Sequence, residues 1–379
     1  MPLVLNEEQK LLKDTACEFL QANAPVEAFR KLRDEGNPQG YSSDLWQQMS
    51  ELGWASITLP EAYDGLAFGF TGLGVVLEEA GKTLARSPLF ASVVLGASGI
   101  LLAGNDAQKQ TLLPQSAAGQ LTLALAIDEG THHNPLDIRT EARAEGTGYV
   151  VNGEKTLVVD GMSASKLIVA ARTGGTNPGA EGITLLLIDA DTAGIERQPL
   201  SLVDAHPAAR IRFNDVAVTA DCVLGTAGQG YAVLEQMLDR GRIAIAAEML
   251  GNMQAMFDRT NAYLKEREQF GVKIGSFQAL KHRAAQMYID IELCKSIVLE
   301  ALQAIDEAPD QVPALASLVK SKVGEACLRV MDEATQMHGG IGVTDELDVG
   351  LFLKRSRVLN QLFGTPAFHR DRYASLHGY

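Results

Sequence analysis

The side chains that could do chemistry are few and scattered. His132 and His133 stand together in "IDEGTHHNPLDI" (127–138), which invites a metal or an acid–base pair. Adjacent side chains in a loop rarely converge and no third ligand has suitable spacing, so both are expected to be exposed loop histidines. Asp239 and Arg242 in "LDRGR" are spaced i, i+3 and can pair with each other, as a plain surface ion pair would. Arg267 in "EREQFG" can pair with Glu266 or Glu268 on a solvated helix end, or serve an anion. No CxxC occurs among Cys17, Cys222, Cys294 and Cys327, which read as reduced core thiols.

Three zones of different period must position these groups. Residues 1–118 read as helical. Asn6 is a possible N-cap, with Leu11, Leu12, Ala16 and Leu20 on one face behind it. "DAQKQTLLPQSAAG" continues the pattern and is expected to stop near Pro114. "LFASVVLGASGILLAG" (89–104) is too short and too rich in Gly and Ser to span a bilayer, and reads as a buried helix. Residues 119–226 turn to short β-branched runs separated by Gly, Asn, Asp and Pro. Within them "VVNGEKTLVV" reads as strand–turn–strand about Asn152-Gly153. Residues 227–379 return to helix. A run without Pro from about 229 to 268 would exceed about 50 Å in length, and helical patterns over 276–306 and 312–338 suggest an antiparallel four-helix bundle. The fold class is therefore α+β, with a helical, a β and a helical domain in that order.

The chain has 379 residues and a formal net charge of −14, which argues against non-specific binding to nucleic acid or anionic lipid. The start "MPLVLNEEQK" shows no basic region followed by an apolar one. A cytoplasmic protein without membrane insertion is the expectation.

Several segments in order carry a resemblance. "GWASITLPEAYDGLAFG", "GNDAQKQTLLPQSAAGQLTLALAI", "LKEREQFGVKIGSFQ" and "QMHGGIGVTDE" resemble signatures of the acyl-CoA dehydrogenase family over essentially the full chain. The resemblance implies FAD, an acyl-CoA substrate, α,β-dehydrogenation with a glutamate as base, and an electron-transferring flavoprotein as a possible partner. It also implies an FAD site shared between subunits. The positions that serve the neighbour's cofactor are matched by Arg267, Gln269, Phe270, Gln336, Gly339 and Gly340, with Thr365 also on the cofactor side. Asp239 and Arg242 match residues near the thioester and CoA.

The positions that serve a subunit's own flavin match poorly. Gly130 is in place, but Ile127 falls where a hydroxyl is expected and His133 where a serine is expected. Leu157 replaces an aromatic and Val159 another hydroxyl. "QLFGTPAFHR" follows the frame of the segment that carries the base. Gly364, Thr365 and Arg370 are present, yet Phe363 takes the glutamate's position. The second place for a base in the family falls on Gly241. Asp128, Glu129 and Glu248 are formal candidates for a relocated base. The pattern implied is the base-lacking subunit of an α₂β₂ acyl-CoA dehydrogenase, partnered by a homologous subunit. A self-sufficient enzyme with a relocated base and a flavin-less acyl-CoA-binding offshoot are the alternatives. Ala91, Ser92, Gly96, Ala97 and Ser98 suggest room on the floor of an acyl pocket.

Overall fold

The computed structural model describes residues 4–37 and 39–379. In chain order the helices are α1 (Glu7–Asn23), α2 (Val26–Asp34), α3 (Ser43–Glu51), α4 (Gly69–Thr83), α5 (Ser98–Ala103), α6 (Asp106–Ala117), α7 (Tyr231–Glu266), α8 (Gln278–Glu307), α9 (Val312–His338), α10 (Val349–Gln361) and α11 (Pro366–Leu376). A π-helical stretch, Leu89–Ala97, leads into α5. The strands between α6 and α7 are β1 (Leu123–Ala126), β2 (Glu141–Glu145), β3 (Gly148–Val159), β4 (Lys166–Arg172), β5 (Ile183–Asp189), β6 (Ile195–Leu200), β7 (Ala208–Thr219) and β8 (Val223–Leu224). The order is helical domain, β domain, helical domain, as expected. The backbone falls into two compact units, one of residues 1–31, 70–85 and 242–379, the other of 32–69 and 86–241.

The second unit is built on an eight-stranded mixed sheet in the order β6-β7-β3-β2-β4-β5-β8, with β1 added parallel to β4. Val151, Leu167, Val169, Leu186, Ile188, Ile211 and Phe213 form its apolar core. Asn152-Gly153 makes no turn. β3 runs straight through it with a bulge opposite β7, and the tight turn lies at Gly146-Thr147 instead. The Asn152 amide donates to Asp215 Oδ1 and accepts from Asp215 N, so it serves the neighbouring strand. α6 likewise runs on through Pro114 to Ala117, anchored by an Asn105–Gln108 capping box.

The first unit centres on α9, which packs against α8, α10 and α11. α7 has 36 residues, about 54 Å of helix. It crosses α4 so closely that a Cβ on Gly251 would lie 1.8 Å from Glu78 O, and one on Gly81 would lie 2.3 Å from Glu248 O. Asn6 caps α1 with Gln9 as expected, but Leu11 faces out while Ala16 and Leu20 are buried.

Candidate functional site

The turn where the resemblance places a base, at Phe363, is closed by its own surroundings. Phe363 is buried and lies in the left-handed region at φ 56°, followed by Gly364 at φ 110°. A Cβ on Gly364 would sit 2.5 Å from Phe368, so glycine is required. Three buried nitrogenous side chains converge on the carbonyls of this turn. Lys320 Nζ donates to Leu359 O (2.7 Å), Asn360 O (3.2 Å) and Gly364 O (3.1 Å). His369 Nε2 (3.0 Å) and Arg242 Nε (3.3 Å) donate to Phe363 O. An ammonium has three N–H groups and three carbonyls face it, a full match. Burial, reinforced by Arg242, nonetheless lowers the Lys320 pKa well below its ordinary value. Burial, with Arg242 and Lys320 adding, pushes His369 down to about 2, so its ring is neutral. Thr365 spends its hydroxyl as the N-cap of α11, accepting from Phe368 N.

Each surviving candidate for a base is engaged. Glu248 holds Arg355 with both oxygens, at 2.6 and 3.0 Å. Glu129 accepts from Lys155 Nζ (2.6 Å), Arg139 N (2.8 Å) and Thr140 N (2.9 Å). Burial alone would raise the Glu129 carboxyl, but Lys155 and Thr140 outweigh it and hold the pKa below its ordinary value. Asp128 lies 2.9 Å from His133 Nδ1, both side chains being buried. His133 is thus no exposed loop histidine; the carboxylate beside it provides the partner that lets it turn inward. His132 is exposed, as expected.

The other expected positions divide sharply. Ile127 is buried, and its carbonyl accepts from the fully buried Lys155 Nζ at 3.0 Å. Leu157 stands on a bulge at φ 53°, partly exposed, and Val159 is half-buried beside it in β3. Gly241, Asp239 and Arg242 are buried in α7, so Asp239 and Arg242 do not lie on an exposed helix face. Two of the small residues at 91–98 are used in packing. A Cβ on Gly96 would meet Leu123 at 2.3 Å, and Ser92 Oγ accepts from Leu123 N, so smallness serves the packing of the π-helical stretch on β1.

At the far end of α7 the picture reverses. A short hairpin (Glu268–Gln269 with Val272–Lys273) carries Arg267, Gln269 and Phe270 at the surface. Phe270 is 92% exposed. Glu268 pairs with Lys273 at 2.7 Å rather than with Arg267. Among the described residues, neither the Arg267 guanidinium nor the Gln336 amide has a partner. Gln336, Gly339 and Gly340 are exposed at the end of α9, and Cβ atoms on either glycine would meet only open space.

Comparison with known proteins gives this arrangement its context. Family models match the acyl-CoA dehydrogenase N-terminal domain over residues 6–120, the middle domain over 126–216 and the C-terminal domain over 228–375. The chain belongs to the acyl-CoA dehydrogenase family. The probable acyl-CoA dehydrogenase YngJ of Bacillus subtilis is 31% identical over 98% of both chains. An acyl-CoA dehydrogenase of Geobacillus kaustophilus has the same fold, with TM-score 0.91 and 28% identity over 99% of both chains. The ChsE4–ChsE5 complex of Mycobacterium tuberculosis matches with TM-score 0.89 and 25% identity over all of both chains.

Members of this family of dehydrogenases use FAD. The loop 127–138 and the end of β3 do not fit the flavin end of that cofactor. The carboxylates of Asp128 and Glu129 are consumed by Lys155, His133 and backbone N–H groups, and β3 presents Leu157 and Val159. The α7–α9 end fits the opposite, anionic end, with an unpaired guanidinium, a free amide and open glycines. Sequence reasoning missed Lys155, Lys320 and His369. Lys320 had a legible signal: it falls on the apolar stripe Ala316, Val323, Cys327 of α9, where a lone lysine must find carbonyls.

Proposed function

We propose that this chain is the base-lacking subunit of a heteromeric acyl-CoA dehydrogenase. The observation that supports the reading is that, among the described residues, none of the three carboxylates that could stand in for the base is unengaged. Phe363 holds the base position, and Asp128, Glu129 and Glu248 are each tied to a cation or an imidazole. A general base supplies about 10²–10⁴ in rate, so the chemistry falls to a homologous partner subunit that holds one. This chain contributes Arg267, Gln269, Phe270, Gln336, Gly339 and Gly340 to the diphosphate and adenosine end of the partner's FAD. The likeness to a two-protein complex of the same fold supports that assembly. FAD bound in the partner supplies the hydride acceptor. This chain's residues bind and orient its phosphates, while Asp239 and Arg242 lie on the α7 segment assigned to the acyl-CoA.

The test is a visible spectrum. The chain purified alone is expected to be colourless, and to yield a yellow complex when co-expressed with the homologous acyl-CoA dehydrogenase subunit of its source. In that complex Arg267→Ala should raise the Kd for FAD roughly 10- to 100-fold. A chain that is stoichiometrically yellow by itself and bleaches with an acyl-CoA overturns the proposal.

A further inference from the structure

The anion-facing end is made of two separate pieces of backbone. One is the hairpin after α7. It is held by Ile274 N donating to Arg267 O (2.9 Å) and by Lys273 Nζ capping the helix at Glu266 O (2.9 Å). The other is the turn after α9, residues 339–343. Gly339 turns the chain at φ 66°, and Gly342 lies so close to the helix that a Cβ would meet Thr335 O at 2.7 Å. A grip on one dinucleotide needs Arg267 and Gln336 at a fixed separation, because a misplaced contact forfeits its hydrogen bonds.

An aromatic pair links the two pieces. Tyr263 is one helical turn before Arg267, and its carbonyl accepts from Arg267 N at 2.9 Å. Its ring stacks on His338 with centroids 4.5 Å apart and planes at 28°. Its hydroxyl donates to His338 O at 3.3 Å, directly before Gly339. His338 is itself immobilised. It is buried, and its Nδ1 lies 2.7 Å from Ala334 O, which makes that nitrogen the protonated one because a carbonyl can only accept.

We infer that Tyr263 and His338 are positioning residues that set the register between the two halves of this grip. Neither is assigned a contact with the cofactor. The inference rests on the proposed donation of Arg267 and Gln336 to a partner's FAD.

The test uses the yellow two-subunit complex, titrated with FAD after removal of the flavin. Tyr263→Leu, which removes ring and hydroxyl, is expected to raise the Kd about 5- to 10-fold. Tyr263→Phe keeps the stack and should stay within about 3-fold of the parent. Subunit association and the melting temperature of the complex should move little, which separates positioning from loss of fold. Should Tyr263→Leu not assemble with its partner, hydrogen exchange on the isolated Tyr263→Leu chain, compared with the parent chain, decides. Segments 267–273 and 336–343 are expected to gain exchange together, and a gain confined to one segment overturns the coupling. The inference also falls if Tyr263→Leu binds FAD like the parent while Arg267→Ala binds weakly. If Arg267→Ala itself binds like the parent, the donated grip is wrong and the proposed function fails first.

Discussion

Loop 127–140 of the sheet-based unit and the α7–α9 end of the helical unit both set polar residues on irregular backbone, and they dispose of those residues in opposite ways. In the loop the carboxylates of Asp128 and Glu129 and the ring of His133 turn inward. Glu129 takes Lys155 and two backbone N–H groups, Asp128 takes His133, and Arg172 donates to the carbonyls of Leu136 and Ile138. At the α7–α9 end the guanidinium of Arg267 and the amide of Gln336 face solvent without a partner among the described residues. A closed network stabilises the fold, and an open one stabilises nothing until a ligand arrives. The difference separates residues that hold this chain together from residues it offers to something else.

The sharpest way to break the comparison is to open the closed side. Glu129→Gln leaves the fully buried Lys155 without its carboxylate. Breaking a buried pair costs about 3–5 kcal/mol because the remaining charge is uncompensated. A fall of that size in unfolding free energy, read by urea denaturation near neutral pH, is expected. The double variant Glu129→Gln, Lys155→Met should recover most of it. A loss below about 1 kcal/mol in the single variant would mean that the loop is not closed in solution.

Acid probes the turn at Phe363 next. The folded-state pKa of His369, pushed by burial down to about 2, lies below its unfolded value. Between those values the unfolded chain binds the extra proton, so stability is present above about pH 6.5 and is lost as pH falls toward 2. The slope cannot exceed about 1.4 kcal/mol per pH unit for one group. His369→Gln retains an N–H for Phe363 O and removes the titration. Its unfolding free energy should fall less steeply between pH 6.5 and 4.5 than that of the parent, by up to roughly 2–3 kcal/mol over that range. Parallel curves would show that other groups carry the acid limb.

The three-part architecture was legible because period and composition change where the fold does, at the start of the sheet and again at α7. The Asn6 cap and the long helices were legible from local chemistry alone. What failed was decided by distant partners. Asn152-Gly153 has the residues of a tight turn, but pairing of β3 with β7 keeps the strand running. The small residues 91–98 could be read as space because their neighbour, Leu123, is remote in sequence. In the candidate site Phe363 could be read from one letter as the residue where the resemblance places a carboxylate. The Lys320–His369–Arg242 set beneath it was not, because backbone carbonyls leave no mark in a sequence.

A carboxylate restored at the turn is the next smaller effect. Phe363→Glu supplies a base but leaves Leu157, Val159 and the closed loop as they are. The isolated variant is expected to remain colourless and to give no acyl-CoA-dependent reduction of a dye acceptor above background. Dehydrogenase activity in the variant alone would show that the loop does not exclude flavin, and the contrast between the two regions would lose its functional meaning.

The smallest effect is the most discriminating. Arg267 is exposed and makes no ion pair or side-chain hydrogen bond among the described residues, so Arg267→Ala removes no contact from the fold. Surface changes of this kind stay within about 0.5 kcal/mol. The unfolding free energy of the isolated chain should therefore be that of the parent, while FAD affinity of the complex drops. Salt separates the remaining possibilities: an exposed cation meeting a diphosphate is screened over about 8–10 Å at physiological ionic strength. The parent complex should consequently lose FAD affinity as salt rises, and the Arg267→Ala complex should lose less. Equal salt dependence in both would place the phosphates elsewhere, and an isolated chain destabilised by Arg267→Ala would show that this end is as closed as the loop.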